Sequence, residues 1–268
     1  MKKIVTILIT IIIGLYSFNS NAANSPLNIS LIYGGVHDNK MVVFFNIKSP
    51  QGTKTYWRNP GFGGISPEFA FDKNQNIKDI KILYNFPKVT TKSGITNYTL
   101  KHNDYIAITF IPEDPAMPVT LKGTLTYGYC DTLCKSDNFK FEEIFNVNQA
   151  PDDTLIQSFF NTMPVPITPD MKLAVKNITA LYNTKKNLLI SFNINGLKNL
   201  NEDKFIYYID SDFEINKPII KKTDSDSYQV SLDLFNIYKK PHYLTLLFQN
   251  NNGKNIISKH KITYKGKQ

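Results

Sequence analysis

The two cysteines of this chain are the residues whose type and spacing could carry chemistry. Cys130 and Cys134 are the only cysteines among 268 residues, and three residues separate them in the segment YGYCDTLCKSD. A thiol pair at this spacing can form a structural disulfide, ligate a metal, or cycle between disulfide and dithiol. The choice depends on the compartment in which the chain works and on the elements that hold the pair.

The first 22 residues predict a secretory signal peptide. Lys2 and Lys3 give it a charged start, residues 4–15 are an apolar run too short to span a bilayer comfortably, and small residues precede a cleavage site. We therefore expect the mature chain to begin at Ala23 and to contact the membrane only through the transient signal peptide. An uncleaved N-terminal anchor is the alternative, because aromatic residues extend the apolar run.

The mature chain is expected to be basic, but its charge pattern does not indicate a nucleic-acid partner. The formal charge of the whole chain is +9, and removal of Lys2 and Lys3 leaves 29 basic against 22 acidic residues, or +7. The lysines are spread among Asn, Ile and Tyr and form no long basic block, and Arg58 is the only arginine. This pattern indicates a lysine-rich solvated surface.

Short β-branched and aromatic runs recur along residues 24–150 at the spacing of an all-β sandwich. Proline and glycine separate them throughout. The runs are LNISLIYGG, KMVVFFNIK, KTYWRN, IKDIKILYNF, DYIAITFIP, VTLKGTLTYGY and FKFEEIFNV.

A helix and a proline-rich linker are expected over residues 151–170, between two β domains. In PDDTLIQSFFNTM an aspartate can cap a helix whose apolar residues recur at helical spacing, and PVPITPD is extended and stiff. Residues 171–268 then predict a second, smaller sandwich, with NNNGKN as a hairpin turn. Its runs are MKLAVKNITALY, NLLISFNI, KFIYYID, SYQVSLDLF, HYLTLLFQN and NIISKHKITY.

The other residue types supply no competing catalytic site. Glu142 and Glu143 are adjacent on a strand, so they face opposite ways and cannot act on one bond. The glycines of NPGFGG lack the context of a phosphate-binding loop. The histidines lack a G-x-S-x-G elbow and are read as surface residues: His37, His102, His242 and His260.

No cofactor is predicted, and copper is the one metal that stays open for the cysteine pair. A zinc site needs four ligands, whereas a Cu(I) site could use two thiolates alone. As a structural disulfide the pair would contribute little to the stability of the fold. Closing so short a loop stabilises the folded state by roughly 2 kcal/mol, against about 4.7 kcal/mol for a loop of roughly 100 residues. A short loop can also hold a bridge in a strained, exposed geometry that exchanges with other thiols, so the spacing favours a redox role over bracing.

Two segments around the cysteines resemble a known family. TKTYWRNPGFGGISPEF, residues 53–69, contains a tYWrnPG..G turn, and IPEDPAMPVTLKGTLTYGYCDTLC, residues 111–134, contains a P..PV.L...L.YG.C...C strand. In this order and at this distance they resemble the N-terminal periplasmic region of DsbD/ScsB-type thiol:disulfide interchange proteins. The resemblance covers roughly residues 41–147, and the cysteine spacing is closer to the ScsB-like branch.

The resemblance implies a fold, a site and a class of partner. The fold class becomes all-β, with tandem immunoglobulin-like β-sandwiches joined by a short helix and a proline-rich linker. Cys130 and Cys134 become a redox pair at the edge of the first sandwich, in contact with periplasmic thioredoxin-like proteins. Membrane-embedded relatives also carry an electron-transferring region and a thioredoxin-like domain, and neither is expected here. Electrons are therefore expected from a separate protein, with a membrane donor as a candidate.

Thiol exchange gives the two sulfurs different expected roles. Lys135 favours a thiolate at Cys134, whereas Asp131 opposes one at Cys130. We therefore expect Cys134 to bond the partner and Cys130 to resolve the mixed disulfide. Relatives often have a small apolar residue and a proline where Lys135 stands, so a different local loop is expected.

Two alternatives remain open. The NPGFGG turn, residues 59–64, is either a flap over the cysteine pair with Phe62 at its tip or a plain structural turn with Tyr56 and Trp57 in the core. The whole chain is either a periplasmic thiol:disulfide oxidoreductase or a non-enzymatic binding module for cytochrome maturation or copper tolerance. In the second case the disulfide would only shape a loop.

Overall fold

The computed structural model describes most of the chain after residue 24. The described residues are 25–61, 63–92, 95–183, 187–210, 214–215, 218–237 and 239–265. The predicted signal peptide and the start at Ala23 lie outside them. None of the helices in these ranges has the length and apolar character needed to cross a membrane.

The first half forms two antiparallel sheets. Its strands are β1 (Asn28–His37), β2 (Lys40–Lys48), β3 (Lys54–Gly61), β4 (Glu68–Phe71), β5 (Ile77–Tyr84), β6 (Lys88–Lys92), β7 (Ile95–Thr99), β8 (Asn103–Pro112), β9 (Val119–Cys130) and β10 (Cys134–Phe145). One sheet has the order β1-β2-β8-β5, and the other has the order β10-β9-β3-β7-β6, with β4 paired to β9. The second sheet carries both cysteines.

The helix α1 (Asp153–Thr162) covers the outer face of the first sheet. The Asp152 carboxylate caps it by accepting a hydrogen bond from the Leu155 amide at 2.9 Å. Phe159 packs edge-on against Phe44 of β2, with ring centroids 5.2 Å apart. Alternate residues of β2 point into the sandwich core or under the helix, and this explains why β2 is apolar without interruption.

The second half repeats the two-sheet arrangement. Its strands are β11 (Val165–Pro166), β12 (Ala174–Tyr182), β13 (Leu188–Asn195), β14 (Ile206–Ile209), β15 (Glu214–Ile215), β16 (Ile219–Asp224), β17 (Ser227–Phe235), β18 (Tyr243–Gln249), β19 (Asn255–Lys261) and β20 (Thr263–Tyr264), with 3₁₀ turns at Pro169–Met171 and Glu202–Lys204. The sheet orders are β11-β19-β18-β14 and β15-β17-β13-β12-β20, with β16 on β17. The predicted linker is thus partly structured, because β11 pairs with β19.

The two halves contact each other through β3 and β7 of the cysteine-bearing sheet. The Tyr98 hydroxyl on β7 donates to the Tyr207 carbonyl at 2.8 Å. Arg58 on β3 donates to the Tyr208 hydroxyl at 2.7 Å, and Trp57 packs edge-on against the Tyr208 ring. The second half therefore supports the cysteine-bearing sheet from one side.

The predicted all-β fold class is confirmed, as are the helix and the hairpin turn at NNNGKN, which joins β18 to β19. The domain limits of 24–150, 151–170 and 171–268 stay predictions. The sequence-based strand assignment omitted several short strands, β4, β6, β7, β15 and β16 among them.

Candidate functional site

A disulfide joins Cys130 and Cys134 at the tip of the β9–β10 hairpin. The two residues face each other in the antiparallel register, as the last residue of β9 and the first of β10. Their Cα atoms lie 4.1 Å apart. The hairpin geometry thus brings the sulfurs together without help from any other element.

The three-residue loop between the cysteines is ordered by its first residue. The Asp131 carboxylate accepts hydrogen bonds from the amides of Leu133, at 3.2 Å, and of Thr132. These bonds to the backbone of Leu133 and Thr132 lower the pKa of Asp131, and the positive charge of Lys135 adds to the effect. The Leu133 side chain points outward and is 68% exposed.

The two sulfurs have unlike surroundings. Cys130 is only 7% exposed, whereas Cys134 is an exposed residue. The Tyr56 hydroxyl lies 2.8 Å from Sγ of Cys130 and 3.7 Å from Sγ of Cys134. Because burial raises the pKa of Tyr56, the hydroxyl keeps its proton and can donate it in a hydrogen bond to sulfur.

Strand pairing places Tyr56 at the disulfide. β3 pairs with the end of β9, with Lys54 opposite Cys130, and the Thr55 hydroxyl donates to the Gly128 carbonyl at 3.0 Å. Residues alternate across a strand, so Trp57 enters the main core while Tyr56 lies on the other face of the sheet, beside the sulfurs. Both side chains are buried, as the alternative of a plain structural turn expected, but only Trp57 belongs to the main core cluster.

The segment after β3 covers Tyr56. A β-carbon at Gly64 would lie 2.7 Å from Cδ1 of the Tyr56 ring, and a β-carbon at Gly128 would overlap the Ile65 side chain. Residues 63–65 therefore lie across Tyr56 and β9, and both glycines permit this close approach. Phe62, the predicted tip of a flap, lies outside the described residues.

The four histidines are not part of this site. His37 stacks on Phe160 with ring centroids 3.8 Å apart, and His102 and His242 are exposed. His260 departs from the prediction of a surface histidine, because it is half-buried and burial lowers its pKa. Each lies on a different strand or loop, so they form no catalytic group.

No metal-binding cluster occurs in the part of the chain that the structure describes, where no three His, Cys, Asp or Glu side chains come together. The copper hypothesis therefore rests on the two sulfurs alone. A Cu(I) ion would need them as thiolates, so the disulfide would first have to be reduced.

Sequence reasoning identified the cysteines but missed Tyr56 and Leu133. A signal for Tyr56 exists in the TYW triplet, because adjacent residues of a strand face opposite sides and a buried tyrosine needs a polar partner. No comparable signal marks Leu133, since its exposure depends on the conformation of the hairpin loop.

A protein-family model matches the part of the chain that contains the disulfide. The family described as "Thiol:disulfide interchange protein DsbD, N-terminal" matches residues 34–146, which include both cysteines and Tyr56. Residues 34–146 are therefore similar to the N-terminal domain of DsbD. The limits agree closely with the resemblance found in the sequence motifs.

Solved structures extend the fold comparison to the second half. The N-terminal periplasmic domain of ScsB from Proteus mirabilis superposes with a TM-score of 0.65 at 18% identity, covering 90% of this chain and 94% of that chain. A conserved domain protein from Bacillus anthracis covers 89% of this chain and 86% of its own, at 9% identity and a TM-score of only 0.23. No curated protein sequence matches the chain at a significant level.

Proposed function

We propose that this chain is a periplasmic thiol:disulfide interchange protein that passes two electrons between the Cys130–Cys134 pair and thioredoxin-like partners. The unequal environment of the two sulfurs carries the proposal. A purely structural disulfide does not require one sulfur to be exposed and the other to be buried beside a tyrosine hydroxyl. The similarity of residues 34–146 to the DsbD N-terminal family supports the same reaction.

The exposed sulfur is the site of attack. A partner thiolate attacks Sγ of Cys134, the Cys130–Cys134 bond breaks, and Cys130 leaves as a thiolate. Exchange is faster when the leaving thiol has a lower pKa, and a hydrogen bond from the Tyr56 hydroxyl stabilises the leaving thiolate.

A second exchange completes the transfer. The partner's second cysteine attacks the sulfur of its own mixed disulfide, Cys134 leaves as a thiolate, and the partner departs oxidised. The Cys130–Cys134 pair has then gained two electrons as a dithiol. In the reverse direction the Cys130 thiolate resolves a mixed disulfide formed at Cys134, and the partner leaves reduced. In both directions the two electrons and the protons are exchanged between the two cysteine pairs, so no cofactor is required.

Leu133 is proposed as the contact that the partner meets first. Its side chain precedes the reactive Cys134 and is 68% exposed, and Asp131 holds its amide in place. An apolar residue fixed beside the electrophilic sulfur of Cys134 gives a partner apolar area to bury before the sulfurs react. Leu133→Asn should slow exchange with a thioredoxin-like protein and leave reduction by dithiothreitol unchanged.

The reduction potential of the Cys130–Cys134 couple tests the proposal. We expect a value near −200 mV, in the range of proteins that exchange disulfides, whereas a value below about −300 mV would indicate an inert structural bridge. The measurement is equilibration in glutathione buffers with quantification of free thiols. A structural bridge would favour the alternative of a non-enzymatic binding module.

A further inference from the structure

A concave site lies beside the disulfide hairpin on the same sheet. It is enclosed by the β2–β3 loop and by the ends of β6 and β7, and its volume is about 550 Å³. Small-molecule sites in proteins span roughly 300–1,000 Å³. The cavity is therefore large enough for a small metabolite and too small for a folded partner.

The charge that lines this cavity is of one sign. Lys54 and Lys88 contribute positive charge to the wall, and no acidic side chain occurs among the described residues that line it. Lysines that surround a concave surface raise the local concentration of anions. The electrostatics of the cavity thus favour a negatively charged ligand.

Strand register shows that the two lysines face the cavity from the same side of the sheet as Cys130. Lys54 is paired with Cys130 across β3 and β9. Lys88 is paired with Thr99, which is in turn paired with Tyr56. Directly paired residues share a face, and β7 separates the two lysine-bearing strands by about 10 Å. The two ammonium groups can thus converge on one ligand from opposite walls.

The cavity also offers a fixed apolar surface. Leu100 is 7% exposed and lines it together with Pro50. The loop that forms one wall is anchored by hydrogen bonds from the Ser49 amide to the His102 carbonyl, at 2.9 Å, and from the Thr53 amide to the Pro50 carbonyl, at 3.1 Å. A preformed wall lowers the cost of ordering on binding.

We propose that this cavity binds a small organic anion, whose carboxylate or phosphate group is held by Lys54 and Lys88 and whose carbon skeleton packs on Leu100. The site is separate from the sulfur chemistry, so it stands whether or not the disulfide exchanges. Its volume favours a free small molecule over an acidic side chain of a partner protein.

Isothermal titration calorimetry at low ionic strength tests the proposal with three probes. Citrate supplies carboxylates, glycerol 3-phosphate supplies a phosphate, and glycerol is the neutral control. We expect saturable binding of one anion at one site and none of glycerol. The Lys54→Gln/Lys88→Gln double variant should bind about tenfold more weakly, because each partly exposed charge contributes modestly.

Lys176→Gln is the matched control, because Lys176 is an exposed lysine on β12 of the second half. It should leave the affinity within about twofold, as distant exposed charges are largely screened. Amide signals of Lys54, Thr99 and His102 should shift on titration in NMR spectra. The proposal fails if neither anion binds saturably, if Lys176→Gln weakens binding as much as the double variant, or if the shifted signals lie elsewhere.

Discussion

Two hairpin tips, one in each half of the molecule, are closed in different ways. In the β18–β19 turn the Asn250 side chain accepts from the amides of Asn252 and Lys254, at 3.0 and 2.9 Å. The Asn250 amide also donates to the Lys254 carbonyl, and Gly253 adopts a positive φ of 74°. All of these contacts fall within five consecutive residues. Outside the turn, Asn251 accepts from the Lys198 amide at 2.8 Å and donates to the Gly196 carbonyl at 3.0 Å.

The β9–β10 tip draws on residues that are distant in sequence. Its loop has a comparable local cap in Asp131, but Tyr56 reaches the sulfurs from 74 residues away, and residues 63–65 cover that tyrosine. Bringing distant segments together costs conformational entropy, and at this tip the distant residue is a buried tyrosine that contacts both sulfurs. The distant residues that contact this tip lie around the two sulfurs, where they can influence thiol exchange.

The largest expected effect is on covalent trapping at the cysteine hairpin. Cys130→Ser should accumulate a mixed disulfide with a thioredoxin-like protein that carries only its nucleophilic cysteine, because the resolving sulfur is gone. Cys134→Ser should accumulate little, since its remaining sulfur is buried. Non-reducing electrophoresis after mixing measures the trapped fraction.

The matched control is Asn250→Ala in the background of Cys130→Ser, which should trap as much as Cys130→Ser alone. Equal trapping by Cys130→Ser and Cys134→Ser would contradict the assignment of roles to the two sulfurs. It would leave the redox role itself intact.

The next largest expected effect is on thermal stability, when the second half is removed by truncation. A chain that ends at residue 163 loses Tyr207 and Tyr208, which contact Tyr98 and Trp57. We expect it to fold with a lower melting temperature, because Tyr98 and Trp57 lose the apolar cover of the second half, and burial of one large apolar side chain contributes about 1.5–3 kcal/mol. The reduction potential should stay within about 30 mV of the intact protein, which is roughly 1.4 kcal/mol for this two-electron couple.

The reason for a constant potential is that Trp57 and Tyr56 lie on opposite faces of β3. The support from the second half reaches the Trp57 face, whereas the sulfurs lie on the Tyr56 face. Aggregation of the truncated chain, or a larger shift of its potential, would show that the second half is part of the cysteine site.

The long apolar strands and the helix of this fold can be predicted from sequence, whereas its short polar strands cannot. The apolar runs of β2 and β9 and the helical spacing of α1 are strong periodic signals. β6 and β7, KVTTK and ITNYT, are short and polar, and they form strands because β3 offers a partner on one side. Tertiary pairing therefore determines them, and with them the cavity that they line.

The candidate site divides in the same way. The cysteines and their hairpin follow from the motif YGYCDTLC, because a loop of only three intervening residues brings both sulfurs to one turn. The unequal burial of the sulfurs depends on the pairing of β3 with β9, which local sequence does not encode. From sequence, the charges of Lys135 and Asp131 are the only basis for expecting Cys134 to bond the partner. In the structure, the exposure of Cys134 supports the same expectation.

Tyr56→Phe should slow exchange without unfolding the hairpin. A hydrogen bond to a charged group contributes about 1.5–3 kcal/mol, so loss of the hydroxyl should reduce the rate of partner reduction by at least about tenfold. The pKa of the Cys130 thiol in the reduced protein should rise, because its thiolate loses a donor. Stopped-flow kinetics and thiol titration measure the two effects.

Tyr228→Phe is the matched control for the loss of a tyrosine hydroxyl. That hydroxyl donates to the Lys198 carbonyl at 2.9 Å in the second half, so its removal should affect stability and leave the exchange rate unchanged. If Tyr228→Phe slowed exchange as much as Tyr56→Phe, the effect would be one of global stability and the role given to Tyr56 would be wrong.

Asn250→Ala should destabilise the other hairpin modestly. The variant leaves the amides of Asn252 and Lys254 without their side-chain acceptor, and we expect a loss of about 1 kcal/mol in the free energy of unfolding. Urea denaturation measures it. An altered reduction potential in this variant would mean that the two hairpin tips are coupled.

The smallest expected effect is a pH dependence confined to the cysteine loop. Asp131 has a pKa below its ordinary value of 3.8 because its carboxylate accepts from the Leu133 and Thr132 amides. A carboxylate with a lowered pKa stabilises the fold above its unfolded pKa, and that contribution is lost as the pH falls through the lower, folded value. The loop should therefore loosen at a pH below 3.8.

Amide chemical shifts followed from pH 6 to pH 2 measure this difference between the hairpins. The amide signals of Thr132 and Leu133 should titrate with the Asp131 carboxyl, while those of Asn252 and Lys254 should not, because an asparagine amide carries no titrating proton. Asp131→Asn should abolish the titration and keep an oxygen acceptor for both amides. A titration that persists in Asp131→Asn would show that another group orders the loop.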